Sequence, residues 1–174
     1  MMTPQSQPAV QDTATQGTSS EHDFDFLIGS WKVQHRKLVH RFANDDTWQV
    51  FSGTCVMQPL LSGYANVDEN VMDVPGAPYK AVALRSFDPK KKTWSIWWLD
   101  GRNPGHLDVP VVGSFQNGVG TFFANDTFEG RPIVIRFRWF DISENSAKWQ
   151  QAFSEDDGET WETNWFMEFH RAPQ

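Results

Sequence analysis

From Trp31 onward, large apolar residues recur at every second position in short blocks, and turn-forming residues separate the blocks. A period of two puts successive side chains on opposite faces of a strand. Strands are predicted over residues 31–42, 48–58, 65–74, 79–87, 94–100, 109–116, 119–127, 132–142, 147–154 and 161–171. The breakers between them include Asn44-Asp45-Asp46, Pro75-Gly76-Ala77-Pro78, Asn103-Pro104-Gly105 and Asn117-Gly118. Asn117-Gly118 is the strongest hairpin signal, because a type I′ turn needs positive φ at both central residues. Connections this short make neighbouring strands antiparallel. About ten such strands in one small domain leave two sheet edges to protect, and closing the sheet removes both. The pattern predicts an all-β fold, a single closed or nearly closed antiparallel up-and-down barrel.

Strand parity assigns the faces. The inward phase is read as Trp31, Val33, His35 in the first strand and Val67, Glu69, Val71 in the third. It is Ala81, Ala83, Arg85, Phe87 in the fourth and Ile133, Ile135, Phe137, Trp139 in the eighth. The ninth gives Ala147, Trp149, Gln151, Phe153, and the last gives Trp165, Met167, Phe169, Arg171. The fifth strand is apolar on both faces and does not phase; Trp97 is taken from it as a lining ring, beside Phe122, Trp139 and Trp149. Ahead of the strands, residues 1–21 hold too little apolar surface to offset ordering entropy and read as a disordered tail. The barrel domain is expected over residues 22–174. Asp23 to Gly29 fits about one helical turn, a short plug over an open end of the barrel.

Composition adds the idea of a hollow. Nine Trp and fourteen Phe stand beside only two Tyr, and each large ring buries roughly 150–250 Å². Rigid rings facing small inward residues such as Ala81, Ala83, Gly113 and Ala147 leave room for a small, largely apolar ligand. The formal charge of −7 disfavours a nucleic acid partner. No apolar stretch approaches the ~18–20 residues of a membrane helix, so no membrane partner is expected. No secretory signal is visible, so a cytoplasmic location follows by default. The single Cys55 excludes an internal disulfide. No His pair has metal-ligand spacing, so no metal and no cofactor is expected. A homodimer is left open.

Four polar residues fall among the inward apolar ones: His35, Glu69, Arg85 and Gln151. Burying a charge costs several kcal/mol unless it is paired, so Glu69 and Arg85, on neighbouring strands, are expected to pair inside. Two readings stand: an internal polar network that satisfies itself, or polar contacts that orient a ligand. The expected binding set is His35, Glu69, Arg85, Trp97, Phe122, Trp139, Trp149 and Gln151. The alternative is a cofactor-free enzyme, for instance in secondary metabolism, with Glu69 or His35 as acid or base on a buried small molecule. Asp100, Arg102, His106 and Asp108 cluster after the fifth strand, near a barrel mouth.

Gly29-Ser30-Trp31, at the start of the first strand, resembles the Gly-x-Trp signature of the calycin superfamily, the lipocalins and fatty-acid-binding proteins. The resemblance implies that Trp31 closes one end of the barrel and that Arg171 of the last strand packs across its ring. Segments such as Phe26-Leu27-Ile28-Gly29-Ser30-Trp31, Pro110-Val111-Val112-Gly113-Ser114-Phe115 and Ala152-Phe153-Ser154 make the chain similar to an uncharacterised bacterial calycin-like family. That resemblance implies no established activity. Some small barrels of the nitrobindin type hold haem through a last-strand His, which makes haem binding at His170 a minor alternative, although parity turns His170 outward. Ser154 to Trp161 resembles the Asp-box of sialidase propellers, a hairpin turn in which Asp156 and Trp161 fasten the last two strands.

Overall fold

The computed structural model describes residues 16–173. Its strands are β1 (Gly29–Leu38), β2 (Trp48–Leu60), β3 (Ala65–Met72), β4 (Tyr79–Asp88), β5 (Thr93–Asp100), β6 (Val111–Gln116), β7 (Val119–Phe128), β8 (Arg131–Phe140), β9 (Ser146–Ser154) and β10 (Glu162–Arg171). Each pairs antiparallel with its neighbours in sequence, and β1 also pairs with β10, which closes a ten-strand barrel. Turn chemistry sets the hairpins: Asn117 and Gly118 take φ of 52° and 76°, as a type I′ turn requires. The seam between β5 and β6 is short. It holds three register pairs, Trp94 to Gly113 through Ile96 to Val111, followed by an isolated Leu99–Leu107 bridge.

One end is closed. Trp31 is 1% exposed, and the Arg171 guanidinium lies 4.2 Å from the centre of its ring. Arg171 also donates to the carbonyls of Phe26, Ile28 and Glu144, each at 2.8 Å, while Trp31 Nε1 donates to Leu27 O at 2.8 Å. One arginine thus ties the chain before β1 and the β8–β9 loop to the last strand. Gly29 takes φ of 106°, and a Cβ there would stand 3.3 Å from the Arg171 guanidinium, so a side chain would be both strained and crowded.

The expected helical plug is not formed. Asp25–Leu27 makes a single 3-10 turn with no side-chain cap, because the segment is too short to nucleate a helix and its packing decides its shape. Phe24 is buried at this end among Trp94, Phe115, Phe122 and Trp139, with ring centres 5.0–6.1 Å away. Most of the expected tail, residues 1–15, lies outside the described residues. Its last part is bound to the barrel: Gly17 N donates to Lys91 O at 2.8 Å and Ser19 Oγ accepts from Phe115 N at 2.8 Å.

The expected inward phases of β1, β4, β8, β9 and β10 match the burial pattern. That of β3 is reversed. Asn66, Asp68, Asn70 and Met72 are buried, whereas Glu69 is exposed and Val67 and Val71 are half-buried on the outer face. The cause is the ladder: Met57, Cys55 and Gly53 of β2 face inward and lie opposite Asp68, Asn70 and Met72, and paired residues share a face. Trp97 is likewise outward. It lies opposite exposed Leu84, while Trp94, Ile96 and Trp98 face the interior.

Candidate functional site

The end opposite Trp31 is hollow. A cavity of about 420 Å³ opens between the far ends of the strands. Its apolar wall is built from rings on four strands. Trp98 and Trp165 meet at 5.9 Å, Trp149 and Trp165 at 5.5 Å, and Phe137 and Trp149 at 4.9 Å, all near edge-to-face, a geometry aromatic pairs favour. Phe153, Ile96, Ile135 and Met167 complete the wall. A void of about 30 Å³ lies beyond it, against Asp68, Asn70, Arg85 and Trp139, and shares Trp98, Phe137 and Trp149 with the main cavity.

Charged groups ring the mouth. Asp100 accepts two hydrogen bonds from the Arg102 guanidinium, at 3.0 and 2.7 Å, and a third from its backbone N–H at 2.9 Å, and Arg102 stacks 3.8 Å from the centre of the Tyr79 ring. Lys37 Nζ lies 4.0 Å over the Trp165 ring. Burial, joined by the charges of Arg41 and Arg102 and opposed by Asp100, lowers the Lys37 amine to about 7. Arg41 lies over Phe153 at 4.9 Å. Asp108 and Asp126 line the other side; burial chiefly, with Asp126 and Asp100, pushes the Asp108 carboxyl up against the opposing His106.

The four expected inward polar residues do not form one network. Arg85 is buried, but its partner is Asp68, at 2.5 Å, with Asn66 Oδ1 at 3.0 Å. Asn70 in turn donates to Asp68. Glu69 stands outside the barrel and pairs with exposed Lys80 at 3.0 Å, so the Glu69–Arg85 pair does not exist and Glu69 has no access to the cavity. His35 is 1% exposed. It stacks on Phe51 at 4.7 Å and accepts from Trp165 Nε1 at 3.3 Å, behind the cavity wall. Gln151 lines the cavity, and its Nε2 donates to Asn164 Oδ1 at 2.8 Å beside the β10 bulge.

Of the expected rings, Trp149 lines the cavity and Trp139 the deeper void. Phe122 is packed at the closed end against Phe24 and Phe115, and Trp97 is outside. His170 is exposed on the outer face, and no described histidine lines the cavity. Among the described residues no group of His, Cys, Asp or Glu is arranged to hold a metal. The Asp-box turn forms as expected: Asp156 accepts from Thr160 N at 2.8 Å and from Ser154 Oγ at 2.7 Å, and Trp161 packs against Arg136 at 4.2 Å.

Lys37, Arg41, Trp98 and Trp165 are site residues absent from the expected set. Lys37 continues the phase of Trp31, Val33 and His35, so parity carried one step further finds it. Arg41 falls within the strand expected over 31–42, but β1 ends at Leu38, so the ladder does not set its direction.

A family model described as "Protein of unknown function (DUF1579)" matches residues 18–107, just over half of the chain. This chain belongs to that family. The part matching the DUF1579 model takes in Trp31, Lys37, Arg41, Asp68, Arg85 and Arg102. No curated protein matches the sequence. Among solved structures, the DUF1579 chain resembles the S-type phycobiliprotein lyase CPES of Guillardia theta, with a TM-score of 0.59 at 11% identity over 90% of this chain and 94% of that one. It also resembles Rv2717c of M. tuberculosis, with a TM-score of 0.57 at 10% identity over 87% and 98%. A protein of unknown function from the DUF3598 family of Nostoc punctiforme gives 0.51 at 13% identity, over 90% of this chain and 51% of that one. At these identities the likeness is one of fold.

Proposed function

We propose that this barrel binds one small, largely apolar molecule in its interior. The observation that carries the reading is the cavity of about 420 Å³, within the 300–1,000 Å³ range of small-molecule sites. Its rings are held in place by strand pairing, so the hollow is formed before a ligand arrives and little ordering opposes binding. The charged groups gather at the mouth, Gln151 stands in the wall beside Phe137 and Trp165, and Arg85 lies beyond the far wall. The outward positions of the strands carry Lys32, Gln34, Glu69, Lys80 and Glu168, which suits a barrel working in water. Among the described residues no helix is long and apolar enough to cross a membrane.

A neutral environment-sensitive dye such as Nile red tests the reading. It should bind the native protein at about one to one and quench the emission of Trp98, Trp149 and Trp165. Mass spectrometry of gently extracted protein should then reveal a co-purified small molecule. A folded protein that neither binds the dye nor changes its tryptophan emission would refute the cavity as a binding site.

A further inference from the structure

The mouth of the cavity is electrically lopsided. Lys37 and Arg41 stand on one wall, on β1 and just beyond it, while Asp108 and Asp126 stand across the barrel, before β6 and on β7. In the closed order of strands, β6 and β7 lie opposite β1. Neither Lys37 nor Arg41 takes part in an ion pair among the described residues. The acids whose charges act on them, Asp100 on Lys37 and Glu162 on Arg41, are outside ion-pair contact and hold other donors. Asp100 holds Arg102 through both oxygens, and both oxygens of Glu162 accept from Phe42 N at 3.0 Å.

Both cations are half-buried and rest on ring faces. Lys37 lies on Trp165, and Arg41 lies over Phe153 at 4.9 Å and Phe128 at 5.7 Å. Contact with rings returns only part of the lost hydration. A half-buried cation with no carboxylate in ion-pair contact gains from an arriving anion, because charge-assisted hydrogen bonds are about twice as strong as neutral ones. The lowering of the Lys37 amine by burial and by Arg41 reports the same unmet demand. Inside the mouth, the cavity offers an arriving molecule mainly rings and aliphatic side chains, with Gln151 among them.

We infer that the ligand is an organic acid, with its apolar skeleton against Trp98, Trp149 and Trp165 and its anionic oxygens between Lys37 and Arg41. This rests on the cavity reading and narrows it to a ligand class. The matched pair of naphthylhexanoic acid and its methyl ester separates the two claims, since the pair differs in charge and shares the apolar body. The wild-type protein should bind the acid at least tenfold more tightly than the ester. In Lys37→Met and in Arg41→Met the ratio of acid to ester affinity should fall most of the way to one. The ester thereby controls for folding and for the integrity of the cavity. Equal affinity of acid and ester in the wild type would overturn the anion seat and leave the cavity standing. Binding of neither would overturn both. An acid preference that survives both substitutions would place the anion elsewhere and equally refute the inference.

Discussion

At the scale of single residues, two buried groups do distinct work. Trp31 closes the barrel because its ring is enclosed by the core on one side and by the Arg171 guanidinium on the other. Trp31→Ala removes a buried ring that nothing nearby is placed to replace, and should cost about 3–5 kcal/mol in denaturant unfolding. A loss below 1 kcal/mol would show that the ring is not part of the seal. His35 is held neutral: burial first, then the charge of Lys37, lowers it to about 4 from 6.5. The unfolded chain takes up a proton near pH 6.5 and the folded chain not until near pH 4. The stability this contributes is complete above pH 6.5 and is lost as pH falls through about 4, on the order of 3 kcal/mol in all. His35→Gln keeps a side chain able to accept from Trp165 and removes the titration. The melting temperature of that variant should fall less steeply between pH 6.5 and 4 than that of the wild type. Parallel curves would assign the acid sensitivity to other groups.

At the scale of elements, β3 shows where alternation misleads. Val67 and Val71 mark one face as apolar, and Asn66, Asp68 and Asn70 mark the other as polar, yet the polar face is the buried one. The choice is made by β2 and β4 together. The β2 ladder puts Asp68 and Asn70 on the inner face opposite Met57 and Cys55, and Arg85 of β4 arrives there needing partners. Asn66 and Asp68 accept from its Nη1 and Asn70 donates to Asp68, which pairs the buried charge, while Arg85 Nε is left without a partner among the described residues. Asp68→Ala should therefore destabilise the barrel by about 3–5 kcal/mol, since it leaves Arg85 buried without its carboxylate. Glu69→Ala, which removes half of an exposed pair with Lys80, should change stability by about 0–1 kcal/mol. Comparable losses at the two positions in urea unfolding would mean that Asp68 does not carry the cluster. The strands themselves, their number and nearly all their turns were legible, because turn residues and period-two patterns are local signals. The face of a strand with balanced patterns was not, because its neighbours decide it.

At the scale of the whole molecule, the barrel has a sealed end and a hollow one, and the seal makes the hollow useful. With Trp31, Phe24 and Arg171 holding the closed end, the rings around the cavity are fixed by strand pairing except at the short β5–β6 seam beside Trp98, so the proposed ligand would meet a largely preformed wall. Binding to the folded state alone raises stability by mass action, about 2.7 kcal/mol at a hundredfold excess over Kd. For a chain of this size that corresponds to a rise in melting temperature of roughly 5–10 °C. At equal free concentration below saturation, naphthylhexanoic acid should give a larger shift than its methyl ester in differential scanning fluorimetry. Equal shifts would speak for a cavity indifferent to charge. The sequence by itself determined that this is a ring-rich, ten-strand closed barrel with Trp31 and Arg171 at one end, because alternation, turns and the Gly-x-Trp signature act over a few residues each. It also grouped Asp100, Arg102, His106 and Asp108 near a mouth, of which all but His106 line the cavity. Only the tertiary structure decided which polar residues are inside, which acid Arg85 meets, and that Lys37 and Arg41 share one wall with no ion-pair partner among the described residues. Those outcomes depend on register between strands and on closure, which bring together residues far apart in the chain.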